Sequence, residues 1–380
     1  MDTLTAAILA LNARPENNGN FAGRYVREMP TPADYALAMY LPEETRESYS
    51  VDTGAFAIYP TMAGLSGMDS NYAPVGAVAA SRFLEESAKI TGQLVLPEKH
   101  LRELQALTMR LQAAGTDALP AAAETVTDFV GVLMQAHWDT AEWLRGQALF
   151  TGEINWQFGG TEVVVDYQIP DANKFDTRTA AAAYDKAEST FWLDVRAARK
   201  ILGQSAQFVM NRATFYGITD NPVNSVALES LGSEVSSTGL VERYRLTKRV
   251  GTAAVPSNDV RDSVEVTVYD RGGSVISTAD PSKTEPKQFV PDGRIAALGT
   301  AERPAFRVGR GAQPDLVNPG RVGYYHVAPT TEGAGTPGRW ARVYQPESAP
   351  MQVHSQSAGN ELPVIESPDK VVILSSEIGA

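Results

Sequence analysis

Between residues 120 and 150 the sequence carries one continuous apolar stripe: Val126, Val130, Leu133, His137, Ala141, Leu144 and Ala148 recur at steps of three and four. That spacing predicts a single helix from about Pro120 to Phe150, with Gly152 as its stop signal. At ~1.5 Å per residue such a helix is ~45 Å long, a strut longer than most helices of globular proteins. The rest of the chain has to be arranged around it.

What precedes the strut does not look like a domain. Thr3–Leu11 reads as a short amphipathic helix. Residues 12–50 contain Pro15, Pro30, Pro32 and Pro42 with Asn17-Asn18-Gly19-Asn20 between them, and they read as an arm that needs a partner surface. Phe21, Tyr25, Tyr35, Tyr40 and Tyr49 make it more aromatic than a disordered tail. Residues 51–96 are rich in Gly, Ala and Ser. Extended pieces at Ala55–Tyr59 and Gln93–Leu96 flank the small-residue tip Gly64–Asn71, as in a long hairpin-like excursion without a core of its own. Pro97 then opens a helix with Leu101, Leu104, Leu107 and Leu111 on one face, ended by Gly115.

After the strut the period changes. Strands are predicted over Thr161–Ile169, Gln207–Met210, Val290–Leu298, Ala349–Val353 and Lys370–Leu374, and a helix over Thr179–Leu202. Val264–Ser277 reads as two strands turning at Arg271-Gly272-Gly273. Asp280–Lys283 reads as loop, and residues 304–340 as mostly surface loop with short strands. The pattern is that of an α+β protein.

Composition narrows the chemistry. Of 380 residues 43% are hydrophobic and 21% charged, enough for a sizeable core and against wholesale disorder. The net charge of −12 makes the chain a poor candidate for gripping nucleic acid phosphates. With no cysteine, disulfides, thiolate nucleophiles, zinc knuckles and iron–sulfur clusters are excluded. Asp2 stands where a signal peptide needs positive charge, and no apolar run reaches ~18 residues, so a soluble, non-exported, membrane-free chain is expected.

No motif for catalysis emerges. His100, His137, His326 and His354 show no i, i+4 pair. His137 lies on the apolar stripe and reads as a structural histidine, with Asp139 and Glu142 on other faces of the helix. Gly333-Ala-Gly335-Thr-Pro-Gly338 spells a dinucleotide fingerprint by letter, but Pro329 before it and Pro337 within it deny the required strand and helix. Glu234, Glu242, Asp259, Asp262 and Glu265 are read as solvated carboxylates, and Arg243, Arg245, Lys248 and Arg249 as a solvated or intersubunit face. No catalytic, cofactor-binding or metal residue is assigned, no cofactor is expected, and the protein is expected not to be an enzyme. An arm, a coreless excursion and a strut suit a subunit of a closed shell, where extended segments reach over neighbours.

Several stretches carry a resemblance. Thr151–Trp156 followed by Val163–Tyr167, Leu193–Lys200 with Phe208–Met210, Phe289–Gly299, Glu347–Val353 and Ser367–Leu374 follow one another as in the lambda-like phage major capsid proteins. The sequence resembles this family, the phage major capsid protein E family, from about residue 40 to 376, and departs from it in residues 300–345. The resemblance implies the Hong Kong 97-type phage capsid fold: an N-arm at 1–50, an extended loop at 51–96, a peripheral domain with the long spine helix at 97–175, an axial domain at 176–300, and a C-terminal return to both at 301–380. The implied function is self-assembly into pentamers and hexamers that build the icosahedral head around phage dsDNA. The implied partners are other copies of the chain, a portal protein, and decoration and scaffolding proteins. The packaged dsDNA would be met only by non-specific proximity, with no membrane. The chain would be made in the host cytoplasm and reside in the virion. Two other readings stand beside this: the shell of a cargo-holding nanocompartment, and a hydrolase using carboxylates in loops 220–345.

Overall fold

In the computed structural model the chain is described except at residues 1–2, 18–19, 33, 53–54, 60–76, 82–83, 97–98, 100, 104–105, 107–108, 111–118, 159–160, 236–239, 249–262, 277–283, 300–319, 347–351 and 379–380. The helices are α1 (Thr3–Asn12), α2 (Phe21–Glu28), α3 (Leu119–Phe150), α4 (Phe191–Leu202) and α5 (Arg212–Thr219). The strands of the N-terminal third are β1 (Glu43–Thr45), β2 (Ser50–Asp52), β3 (Ala55–Tyr59), β4 (Ala77–Ser81), β5 (Leu84–Glu86) and β6 (Ala88–Leu96). A hairpin, β7 (Glu153–Phe158) and β8 (Thr161–Asp166), follows α3. Then come β9 (Gln207–Met210), β10 (Val226–Val235), β11 (Leu240–Lys248) and β12 (Ser263–Tyr269). The ribbon β13 (Gly272–Ile276) and β14 (Thr284–Gln288) precedes β15 (Arg294–Leu298). The last strands are β16 (Gly323–Ala328), β17 (Trp340–Tyr344), β18 (Val353–Ile365) and β19 (Val371–Ser375).

Helix α3 has the predicted extent. Pro120 sits in its first turn, where a missing N–H costs nothing, and Gly152, at φ +75°, follows its end. Val126, Val130, Leu133, Ala141, Leu144 and Ala148 are all buried. The stripe packs on a five-stranded sheet centred on β18. That strand pairs with β6 along one side and with β17 and then β16 along the other, while β1 lies parallel to β16. The second sheet has the order β10-β11-β12-β9-β15-β19, with β9 parallel to β12 and antiparallel to β15. Its strands alternate as period 2 requires. Phe208, Met210, Val264, Val266, Val268, Ile295, Ala297, Val372 and Leu374 meet α4 and α5 in one core. Val209, Tyr269, Ala296, Leu298, Val371 and Ile373 face the other way and join the core built around α3.

The chain before α3 departs from expectation. Residues 12–50 are not an arm without packing of their own. Ala22, Val26, Tyr35, Ala36, Leu37, Tyr40 and Leu41 are buried in the α3 core. The prolines permit this because they fall at element boundaries: Pro15 opens a 3₁₀ turn, Pro30 and Pro32 join α2 to the next turn, and Pro42 precedes β1. The 51–96 excursion is hairpin-like as read over its first part, where β3 pairs β4 and β2 pairs β5, but its last residues, Ala88–Leu96, are β6 of the five-stranded sheet and not part of a coreless excursion. Its tip, Gly64–Asn71, lies outside the described residues.

Four further readings are corrected. The helix expected over Thr179–Leu202 begins only at Phe191. Ala180 has φ +48° and Ala180–Ala182 form a 3₁₀ turn, so the alanine run does not propagate. The strand expected to Ile169 stops at Asp166, because Gln168 has φ +53°. Gly272-Gly273 is no hairpin turn. β12 pairs with β11 and β9, and the two glycines lie in β13, where a Cβ on Gly272 would meet the Lys287 carbonyl oxygen at 2.7 Å. The 304–340 region is not all surface, since every residue of β16 is buried. Residues 101–103, 106 and 109–110 are helical, and Leu101 is buried; Leu104, Leu107, Leu111 and Gly115 lie outside the described residues. So do Asp280–Lys283 and Ala349–Met351.

Candidate functional site: a buried ionic network along the long helix

From Ala141 to its end α3 is enclosed with no exposed residue, so its polar side chains must find partners inside the protein. Glu142 and Arg145 are both buried, and the Arg145 Nη1 lies 3.2 Å from Glu142 Oε2. The backbone N–H of Leu37 donates to Glu142 Oε1 at 2.7 Å, and Arg145 Nε donates to the Leu41 carbonyl at 3.0 Å. The Arg145 guanidinium also lies over the Tyr325 ring, 4.4 Å from its centroid, and 3.6 Å from Glu43 Oε1.

From Glu43 the network continues. Arg339 grips two carboxylates, each with two bonds: Glu43 at 2.7 and 3.1 Å, Glu361 at 2.7 and 2.9 Å. His137 closes the line, with Nδ1 3.2 Å from Glu361 and Nε2 3.0 Å from Ser357 Oγ. Asp139 departs on another face of α3. It accepts from the Tyr35 hydroxyl at 2.8 Å and from Arg271, which also binds Asp34. These bonds tie residues 34–43, α3, Arg339 just before β17, and β18 into one unit.

Electrostatics follow the same geometry. Burial alone would raise the Glu361 pKa, but Arg339 and then His137 outweigh it and hold the carboxyl well below the usual range. Burial pulls Arg339 down, yet Glu361 and Glu43 together keep its guanidinium firmly charged. Burial pushes Glu142 and Asp139 up, more than their arginine neighbours pull them down. With each carboxylate held by a guanidinium, the network is a clamp.

The residues weighed from sequence are otherwise scattered. His326 Nε2 lies 3.0 Å from the Ser48 carbonyl oxygen, and His354 bonds Gln93 and stacks on Tyr344. Glu242 pairs with Arg212, and Glu265 with Arg245, which also binds Glu229. Arg243 and Lys248 lie on β11. The Gly333–Gly338 segment is a turn, with Gly335 at φ +78° and Gly338 at φ +110°. His100, Asp259, Asp262, Arg249 and the Glu234 side chain lie outside the description. Among the described residues no cluster of three or more His, Asp or Glu is placed to hold a metal ion, and no helix is long and apolar enough to cross a membrane. Glu43, Arg145, Arg339 and Glu361 went unnoticed in the sequence. The one local signal was a Glu–Arg pair at i, i+3 within an apolar helical stripe.

Comparison with known proteins completes the picture. The sequence pattern of the family described as phage major capsid protein E matches residues 23–351. No curated protein sequence matches significantly. Among solved structures, the chain is similar to the putative capsid protein of a prophage of E. coli CFT073, at 11% identity and TM-score 0.52, with 99% of each chain covered. It is also similar to a phage-related protein from Bordetella bronchiseptica RB50, at 11% identity and TM-score 0.48, covering 93% of this chain and 95% of that one. A Mycobacterium phage Patience chain gives 10% identity and TM-score 0.42, covering 92% and 84%.

Proposed function

The chain belongs to the phage major capsid protein E family, and from that premise we propose how it builds a head. It is a shell-forming capsid protein with the mixed α+β, Hong Kong 97-type fold, a virion component whose partners include further copies of itself. The observation that carries this is the family match over residues 23–351.

In this reading residues 97–175 form a peripheral domain around α3, and residues 176–300 an axial domain around the six-stranded sheet, placed at the five- and six-fold axes. Residues 301–380 return to both. That division is supported by the two cores, one around α3 and one under α4 and α5. Residues 1–50, packed on α3, serve as the N-arm, and the part of residues 51–96 before β6 as the loop that reaches a neighbour. Copies assemble into pentamers and hexamers and enclose dsDNA without specific contacts. A portal protein, and decoration or scaffolding proteins, complete the particle, and synthesis takes place in the host cytoplasm. Many modest contacts per copy give a stable shell through multivalency. The ionic clamp has the supporting task of keeping residues 34–43 fixed to α3 while such contacts form.

Negative-stain electron microscopy of the purified protein tests this directly, hollow particles tens of nanometres across being the expected result. Deleting residues 55–81, which spares β6 and its pairing with β18, is expected to leave a folded subunit, by circular dichroism, that builds no stable shells. Intact particles from that variant would overturn the role given to the excursion. A compact, non-assembling wild-type protein would overturn the whole reading.

A further inference from the structure

His326 sits in the middle of β16 and is only 2% exposed. Its Nε2 faces the Ser48 carbonyl oxygen at 3.0 Å. A carbonyl only accepts, so Nε2 carries the hydrogen, and the neutral ring leaves Nδ1 bare. That Nδ1 is buried and has no hydrogen-bond partner among the described residues. The groups around the ring are fixed. From β1, Glu44 stands in register with His326, but its carboxylate is already held by Arg46 at 2.5 Å and Arg321 at 2.6 Å. From the segment after β1 comes Arg46, whose guanidinium lies 4.8 Å from the centroid of the Tyr324 ring. From β18 the residue in register is the apolar Leu362. One carboxylate shared between two guanidiniums leaves a cationic surrounding.

Ser48 is the approach to the excursion. Ser50–Asp52 pairs with Leu84–Glu86, and the Ser87 hydroxyl donates to the Tyr49 carbonyl at 2.8 Å, closing the root. We propose that His326 is a proton-sensitive latch on this root: the neutral ring holds Ser48, and a proton added at Nδ1 releases it. The new N–H would be buried without an acceptor beside Arg46, so the charged ring is stable only where it reaches water. Burial first, and Arg46 next, lower the His326 pKa, while the Ser48 bond and Glu44 oppose them less strongly. The sign follows from linkage. A lowered folded-state pKa gives stability that is present above the ordinary histidine value of ~6.5 and lost as pH falls through the folded value. The consequence for contacts between copies rests on the proposed function; the latch itself does not.

Hydrogen exchange of the full-length protein, normalised to the unfolded-chain rate at each pH, tests it. Protection of residues 46–52 and 84–87 is expected to fall about tenfold or more between about pH 7.5 and pH 5. The fall should set in as pH drops below ~6.5, where the unfolded ring takes up its proton. In His326→Gln, which cannot take up a proton, it should vanish. Unchanged protection in the wild type, a fall that sets in only within the carboxylate range, or a fall that persists in His326→Gln would overturn the latch. The wild-type onset decides the matter even where the variant does not fold. Shells are scored separately by microscopy at neutral pH: their absence would sink the proposed function and leave the exchange result standing.

Discussion

At the scale of single residues, the ionic clamp divides its carboxylates into opposite electrostatic classes. Glu361, gripped by Arg339 and His137, is held ionised far into acid; Glu142 and Asp139 are pushed towards the neutral form by burial. Removing one partner from a buried pair leaves the other charge uncompensated, so Glu361→Gln is expected to cost about 3–5 kcal/mol in urea denaturation at neutral pH. Because the folded-state pKa of Glu361 is depressed, that contribution is complete above the ordinary glutamate value of ~4.3 and is lost only as pH falls through the depressed value. The gap between wild type and variant should therefore stay level from about pH 8 to pH 5 and close only in stronger acid. A gap that closes near neutrality would show that Glu361 is not the paired group described. The sequence placed His137 on the apolar stripe, and there it is buried and bonded to Glu361 and Ser357. It was silent on Glu361 and Arg339, because 224 positions separate Glu361 from His137 and only the sheet brings them together.

At the scale of elements, α3 carries its own internal control. At Gly146 an added Cβ would lie 2.1 Å from the Phe289 carbonyl oxygen, so backbone would have to move. At Gly131, on the same helix, an added Cβ meets nothing within 4 Å. Gly131→Ala is therefore expected to stabilise the protein by about 0.5–1 kcal/mol, through helix propensity and the unfolded-state entropy. Gly146→Ala is expected to destabilise it by ~2 kcal/mol or more, from overpacking against backbone. Thermal unfolding of the two variants checks the pair, and equal effects would mean that the ribbon does not press on α3. Elements with a strong period were legible: α3, β9, β15 and β19 lie where the pattern placed them, apart from shifts at their ends. The failures share a cause. The alanine run at 180–182 has helical propensity but lies in a tight turn, and Gly272-Gly273 has turn composition but serves close strand packing. In both places tertiary contacts overrule a local preference.

For the whole molecule, charge and assembly are linked. Each copy carries a net charge of −12, so copies approaching to form a shell repel one another at long range. Salt shortens that range from ~30 Å at 0.01 M to ~8 Å at 0.15 M. The rate of assembly followed by light scattering is therefore expected to rise with ionic strength over this interval. A rate that falls with salt would show that attraction between oppositely charged patches governs the encounter.

What the amino-acid order alone determined about this protein is what short-range periodicity and composition can encode. These are the strut helix, the alternating strands, the hairpin character of the excursion, the exclusion of cysteine chemistry, and the succession of segments shared with a capsid family. Only the tertiary structure decided where residues 12–50 go and which charges are buried. Prolines spaced along a segment report that it cannot be one helix or strand; they do not report whether Tyr35, Leu37 and Leu41 have a surface to meet. That surface is made by α3, 104 positions on at the Tyr35–Asp139 contact, and by the still more distant β16 and β18, and a contact between distant segments leaves no mark in the local pattern of either.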